Sequence, residues 1–159
     1  TYVGFVEMNT PESVKYHLSQ KDDEVKLVFI NSVCGCAAGS ARPGVSLALQ
    51  NNVIPDKLLT SFAGMDRDAV DYLREVYLKD YPPSSPMVVL FKNEKIIYIM
   101  HRYRIEGRTP EQISEELIKI FNKECSKPGP SIPKEKYEKL VHTKACGSTI
   151  PLNNLGEKN

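Results

Sequence analysis

No stretch of this sequence stays apolar for the roughly 20 residues that a membrane-crossing helix needs, which predicts a soluble domain. Nor does one sign of charge prevail. The chain has 21 Lys and Arg against 20 Asp and Glu, a formal charge of +1. Such a balance leaves no electrostatic footprint for nucleic acid or for anionic lipid, so neither is expected as a partner. Cysteine is sparse: four residues, at positions 34, 36, 125 and 146. A small secreted scaffold would spread paired cysteines through a loop-rich chain. Here two are nearly adjacent and the rest are remote, which points to a reducing, cytoplasmic setting with one special pair. No internal repeat is visible. The start, Thr1-Tyr2-Val3-Gly4-Phe5, has no Met, no basic flank and no apolar run. We therefore expect the chain to begin partway through its gene product, with any targeting segment upstream.

What is present is ordinary globular material, 41% hydrophobic and 26% charged over 159 residues, enough for one domain with a sizeable core. Thr10-Pro11-Glu12 reads as a helix start, with Val14 and Leu18 on the buried face. Val25 to Ile30 is β-branched and almost continuously apolar, the pattern of a strand covered on both faces. A helix follows with Ala41, Val45, Ala48 and Leu49 in register. Pro43 lies within it, and an interior proline costs about 3 kcal/mol, so this helix is expected to bend or to begin late. Leu58 to Phe62 is a short strand. Asp66 can cap a helix with Ala69, Val70, Leu73, Val76 and Tyr77 on one face. After the helix-breaking Tyr81-Pro82-Pro83-Ser84-Ser85-Pro86, two strands, Met87 to Phe91 and Ile96 to Met100, are joined by a short polar turn, which makes a hairpin. Thr109-Pro110-Glu111-Gln112 is a capping box. It opens a helix that buries Ile113, Leu117, Ile120 and Phe121.

This order, α-β-α-β-α-β-β-α, demands parallel strands for the crossovers and an antiparallel edge for the hairpin. The fold class is α/β: a thioredoxin-like three-layer sandwich, with a mixed central sheet and helices on both faces. We expect the domain to span residues 1–126. Residues 127–159 form a proline-rich linker (Pro128, Pro130, Pro133) and a C-terminal extension, with two helical turns possible from Lys134 to Val141. The extension has too few large apolar groups for its own core. It is expected to drape over the domain or stay mobile, and to be dispensable.

Cys34 and Cys36 lie past the carboxyl end of a buried strand and at the mouth of a helix, where chemistry in open α/β sheets concentrates. Unpaired N–H groups and the dipole at a helix start stabilise a thiolate, the reactive form. Cys34, outermost, is the expected nucleophile and Cys36 the resolving thiol. A disulfide between residues i and i+2 needs a bend, which Gly35 permits. The small ring is strained, placing it among labile, exchanging bonds. Two other readings stay open. Both thiols can be inert core residues. The C-x-C pair can also hold copper or zinc, although a four-ligand zinc site lacks nearby partners in sequence. Ser85-Pro86, directly before a strand, suits a cis bond near the thiols.

The run Asn31-Ser32-Val33-Cys34-Gly35-Cys36-Ala37-Ala38-Gly39-Ser40-Ala41-Arg42-Pro43 resembles the bacilliredoxin family, the CGC-motif thioredoxin-like proteins. Phe62-Ala63-Gly64, Tyr81 to Pro86 and Ile105-Glu106-Gly107 match as well, and the likeness extends from about residue 4 to Cys125. The resemblance implies a thiol–disulfide oxidoreductase that removes bacillithiol-type thiols from mixed disulfides on client proteins, or that reduces and isomerises disulfides. Cys34 attacks, Cys36 resolves, and the cis-proline falls on Pro86. Gly35, Ser85, Pro86 and Arg42 are the expected substrate-contacting residues, Arg42 either favouring the thiolate or meeting a carboxylate-bearing thiol, with a surface or helix-linking arginine the equal alternative. No cofactor and no metal are implied. Protein disulfide isomerase is the alternative within this chemistry, and a copper- or zinc-binding module the alternative outside it. Two departures stand out: family members usually have more chain before residue 1, and usually stop near Cys125. His17, His101 and His142 read as solvated or core histidines, and Cys125 as a packed thiol. For Cys146, pairing with Cys125, an approach to the Cys pair and a free exposed thiol stay open.

Overall fold

The computed structural model describes residues 4–33, Gly35 and residues 37–147. Its centre is a five-stranded sheet in the order β1-β4-β2-β5-β6, formed by Val6–Glu7, Lys57–Phe62, Val25–Asn31, Met87–Lys92 and Lys95–Met100. Strand β2 is the pivot. It pairs parallel with β4, Asn31 lying opposite Phe62, and antiparallel with β5, Ile30 lying opposite Met87. The sequence pattern of β2 follows from this position. Val28 and Ile30 enter one core and Leu27 and Phe29 the other, so neither face can be polar.

Two helices cover each face. On one side α1 (Pro11–Leu18) and α3 (Arg67–Tyr72) enclose Met8, Val14, Leu59, Val70 and Phe91. On the other, α2 (Arg42–Ala48) and α4 (Pro110–Glu124) enclose Val45, Leu90, Ile113, Leu117 and Phe121. This is the α/β sandwich read from the sequence. Strand β1 escaped that reading because two residues are too few to show alternation.

The helix starts follow their local chemistry. Thr10 accepts a hydrogen bond from the Ser13 amide at 3.1 Å. At α4 both halves of the capping box form, the Gln112 amide donating to Thr109 Oγ1 at 3.1 Å and the Thr109 amide to Gln112 Oε1 at 2.9 Å. Before α2 the chain makes a wider, π-type turn over Ala37–Ala41, and regular winding begins at Arg42. Pro43 thus falls in the first turn, where its missing N–H is not needed. Two details at α3 differ from expectation. The Asp66 carboxylate does not cap the helix but accepts from the Phe62 amide at 2.9 Å and from Asn9 Nδ2 at 2.9 Å. Val76 is exposed, because the helix widens to a π-type turn over Leu73–Tyr77 and rotates that residue off the apolar face.

Beyond Cys125, residues 127–140 stay on the domain. Lys127–Pro128, read from sequence as linker, forms β7, which pairs antiparallel with β3 (Val53–Ile54). Gly129 donates to the Asn52 carbonyl at 2.8 Å and Ser131 to that of Leu49 at 2.9 Å. A Cβ on Gly129 would come within 2.0 Å of the Asn51 carbonyl oxygen, so the backbones approach more closely than any side chain allows. Ile132 is buried in the α2/α4 core, and Tyr137 and Leu140 of α5 (Lys134–Gly147) pack against it.

Candidate functional site

All of the predicted substrate-contacting residues gather at one end of the sheet. The parallel strands β2 and β4 finish there, β5 begins there, and β6 ends there. As β2 ends, Ser32 is buried while Val33, one residue on, is 83% exposed. Cys34 and Cys36 follow and lie outside the described residues. Gly35 between them is exposed, with helical backbone. A Cβ built there meets nothing within 4 Å, and its φ is not left-handed. Neither packing nor a positive φ therefore requires the glycine.

Arg42 is the first residue of α2, and its Nη1 donates to Asn31 Oδ1 at 2.9 Å and to the Ser32 carbonyl at 3.1 Å. Asn31 Oδ1 also accepts from the Ser32 amide at 2.9 Å. The two flanks of the Cys-bearing segment are thereby joined by one cation. Further along, Ser40 Oγ donates to the Arg108 carbonyl at 2.8 Å, tying the π-type turn to the approach of α4.

Across from this segment, Ser85–Pro86 is a cis peptide, as expected, with Pro86 buried and Ser85 half-buried. Arginines hold the two residues before it. Arg74 Nη2 donates to the Ser84 carbonyl at 3.3 Å and Arg102 Nη1 to the Ser85 carbonyl at 3.4 Å. Glu106 fixes Arg102 in turn, through Nε at 3.0 Å. Beside this loop, His101 stacks on Tyr103 with ring centroids 5.4 Å apart, and Tyr81 tilts against His101 at 6.2 Å. Met65, after β4, is exposed on the opposite flank.

Burial, with Asp56 and Glu124 adding to it, pushes the Cys125 thiol up to about 12, so it is almost wholly protonated near neutral pH. That agrees with the packed thiol read from sequence. Behind the site, burial opposes ionisation of Glu116. The hydrogen bond from Tyr98 and the charges of Arg104 and Arg108 outweigh it and hold the carboxyl below the ordinary glutamate range. His17 is lowered by burial and by Lys26 and Lys57, and it lies on α1, away from the motif. Among the described residues, no three His, Cys, Asp or Glu side chains gather as a metal cluster. No helix among them is long and apolar enough to cross a membrane.

Sequence reasoning missed Asn31, Arg74 and Arg102. Asn31 falls just past the strand read as Val25 to Ile30; its one signal is a polar side chain closing an otherwise apolar run, directly before the motif. Arg74 and Arg102 are remote from the motif in sequence and gave none.

Comparison with known proteins agrees with the geometry. A family model described as disulphide isomerase matches residues 1–125. A bacilliredoxin of Salinibacter ruber is 43% identical over 130 residues, which are 82% of this chain and 76% of that protein. One of Staphylococcus aureus is 45% identical over 122 residues, 77% of this chain and 82% of its own. Among solved structures, a protein described as having a thioredoxin fold superimposes with a TM-score of 0.52 at 14% identity, covering 71% of this chain and 97% of its own.

Proposed function

The chain belongs to the bacilliredoxin family of thiol–disulfide oxidoreductases, and on that premise we propose that it reduces bacillithiol-type mixed disulfides on client proteins through Cys34 and Cys36. The Cys34 thiolate attacks the sulfur of the low-molecular-weight thiol. The client leaves as its thiolate and takes up a proton, while Cys34 becomes the mixed disulfide. The Cys36 thiolate then attacks Cys34, a Cys34–Cys36 disulfide forms, and the small thiol is released. The mixed disulfide has gained two electrons, shared between the freed client thiol and the small thiol, and the pair has lost two, so each turnover ends with an external thiol reductant restoring the dithiol. Gly35 keeps the turn between the thiols open to the substrate. Ser85 and Pro86 line the client's path, and the Arg42 cation favours the thiolate. The setting is reducing and cytoplasmic.

The observation that carries this reading is the convergence at one sheet end. The strand leading into the Cys pair is hydrogen-bonded to the strand that Pro86 opens, Ile30 opposite Met87. The test is mass spectrometry of a Cys36→Ala variant incubated with a protein-borne mixed disulfide. A small thiol trapped on Cys34, with free client released, is the expected result. Trapping on Cys125, or none, would remove the reading. The description of the matching family favours disulfide isomerisation as a second activity. Recovery of a scrambled substrate protein by the Cys36→Ala variant would establish it.

A further inference from the structure

We propose that Asn31 and Arg42 form a clip that closes the Cys-bearing segment and positions it for exchange, so that Asn31 is a positioning residue of the reaction; this rests on the reading above. The clip lies wholly within described residues. Asn31 is the last residue of β2 and Arg42 the first of α2. Ten residues separate them, both motif cysteines included. Nη1 of Arg42 reaches Asn31 Oδ1 at 2.9 Å and the Ser32 carbonyl at 3.1 Å, and Asn31 Oδ1 takes the Ser32 amide at 2.9 Å. The strand end and the helix start therefore share one hydrogen-bonded node.

Asn31 is itself fixed, because its carbonyl accepts the Ala63 amide at 2.9 Å and its backbone is in register with Phe62 of β4. The anchor is thus the sheet and the guanidinium is the arm. A charged donor strengthens such bonds, and both acceptors meet Nη1, whose N–H groups are fixed in the guanidinium plane, whereas an ammonium rotates on a flexible stem. Two oxygens already occupy Nη1, so in this arrangement the cation faces the flanks of the motif. Besides favouring the thiolate, it keeps the helix start aimed at the Cys-bearing segment. Reaction rate is sensitive to misplacement of this kind, since exchange requires aligned sulfur atoms.

Four variants of the full chain, Asn31→Ala, Arg42→Gln, the two combined and Arg42→Lys, separate a clip from a simple charge. The reading of function is checked alongside with Cys34→Ser. Single-turnover reduction of a protein-borne mixed disulfide should fall about tenfold in kcat, with KM within twofold, in both Asn31→Ala and Arg42→Gln. The double variant should fall no further than about twofold below either, the non-additivity of one shared unit. The pH midpoint for alkylation of Cys34 should rise in all three. Arg42→Lys keeps the charge and loses the fork, and should recover only part of the rate. Asn31→Ala within twofold of the parent, full recovery by Arg42→Lys, or a multiplicative double variant would each overturn the clip. If Asn31→Ala does not fold, Arg42→Lys against Arg42→Gln decides the matter alone. Activity retained by Cys34→Ser would instead overturn the functional reading, whatever the clip variants do.

Discussion

The two ends of the sheet are held in different ways. At the reactive end, arginine side chains hold the loops: Arg42 on Asn31 and Ser32, Arg74 on Ser84, Arg102 on Ser85. At the far end, neutral amide side chains such as Asn51 on Val53 and Gln50 on Ile132 are joined by close backbone pairing, with β3 on β7 and the Gly129 and Ser131 amides donating to the Asn52 and Leu49 carbonyls. Side-chain anchors leave loop backbone adjustable, whereas close backbone contact allows no substitution and little movement. The same contrast separates the cysteines. Val33 and Gly35, beside the motif cysteines, are exposed, whereas Cys125 is half-buried with its thiol pushed up to about 12.

The sharpest break in that contrast is chemical. Cys34→Ser should lower mixed-disulfide reduction by at least a thousandfold, and Cys125→Ser by less than twofold, measured in single turnovers. A comparable loss in Cys125→Ser would erase the distinction between the two ends. Next comes stability. Gly129→Ala sets a methyl against the Asn51 carbonyl and should cost about 1–3 kcal/mol, as overpacking does. Urea unfolding would measure it, with the rate per folded molecule unchanged. Removing residues after Ser126 should destabilise by at least as much as emptying the Ile132 site, about 2–5 kcal/mol for an isoleucine core deletion. A truncated chain with an unchanged unfolding midpoint would restore the view of this segment as a dispensable tail.

A smaller effect concerns pH. A thiol raised in the folded state keeps its proton after the unfolded chain has lost it. The stability it contributes is therefore present below the unfolded value of about 8.5 and is lost as pH rises towards about 12. Unfolding midpoints across that window should decline less steeply in Cys125→Ser than in the parent. Iodoacetamide at pH 7 should label Cys34 well before Cys125 in the folded protein. The smallest effect is local to α4, where Thr109→Ala should cost about 1 kcal/mol through the lost cap.

Much of the architecture was legible because its signals are local. The double-faced burial of β2 shows in six consecutive residues, and the α4 box lies within four. What escaped depends on contacts between distant residues. Ile132 lies among three prolines in six positions, a pattern that reads as linker until Val53–Ile54 offers the chain an edge to follow. Asn31 reads as a polar residue just past a strand, since nothing in the sequence says that Arg42 will return to it. At Gly35 the described backbone has no left-handed φ and its surroundings leave room for a side chain, so the packing around it carries no signal of its own. Val76 was misplaced because a single wide turn changes the period on which the reading depends.

Helix α4 leaves the reactive end beside Ser40 and Arg108 and delivers the chain to the opposite pole, about 22 Å away for its fifteen residues. Whatever the chain adds after α4 is therefore attached at a distance from the exchange chemistry. New sequence can accumulate on that pole, acquire a fit to Val53 and Ile54, and become indispensable for folding, while the reaction at the other pole goes on undisturbed. A lineage could in this way change its length and its stability without first having to change its substrate.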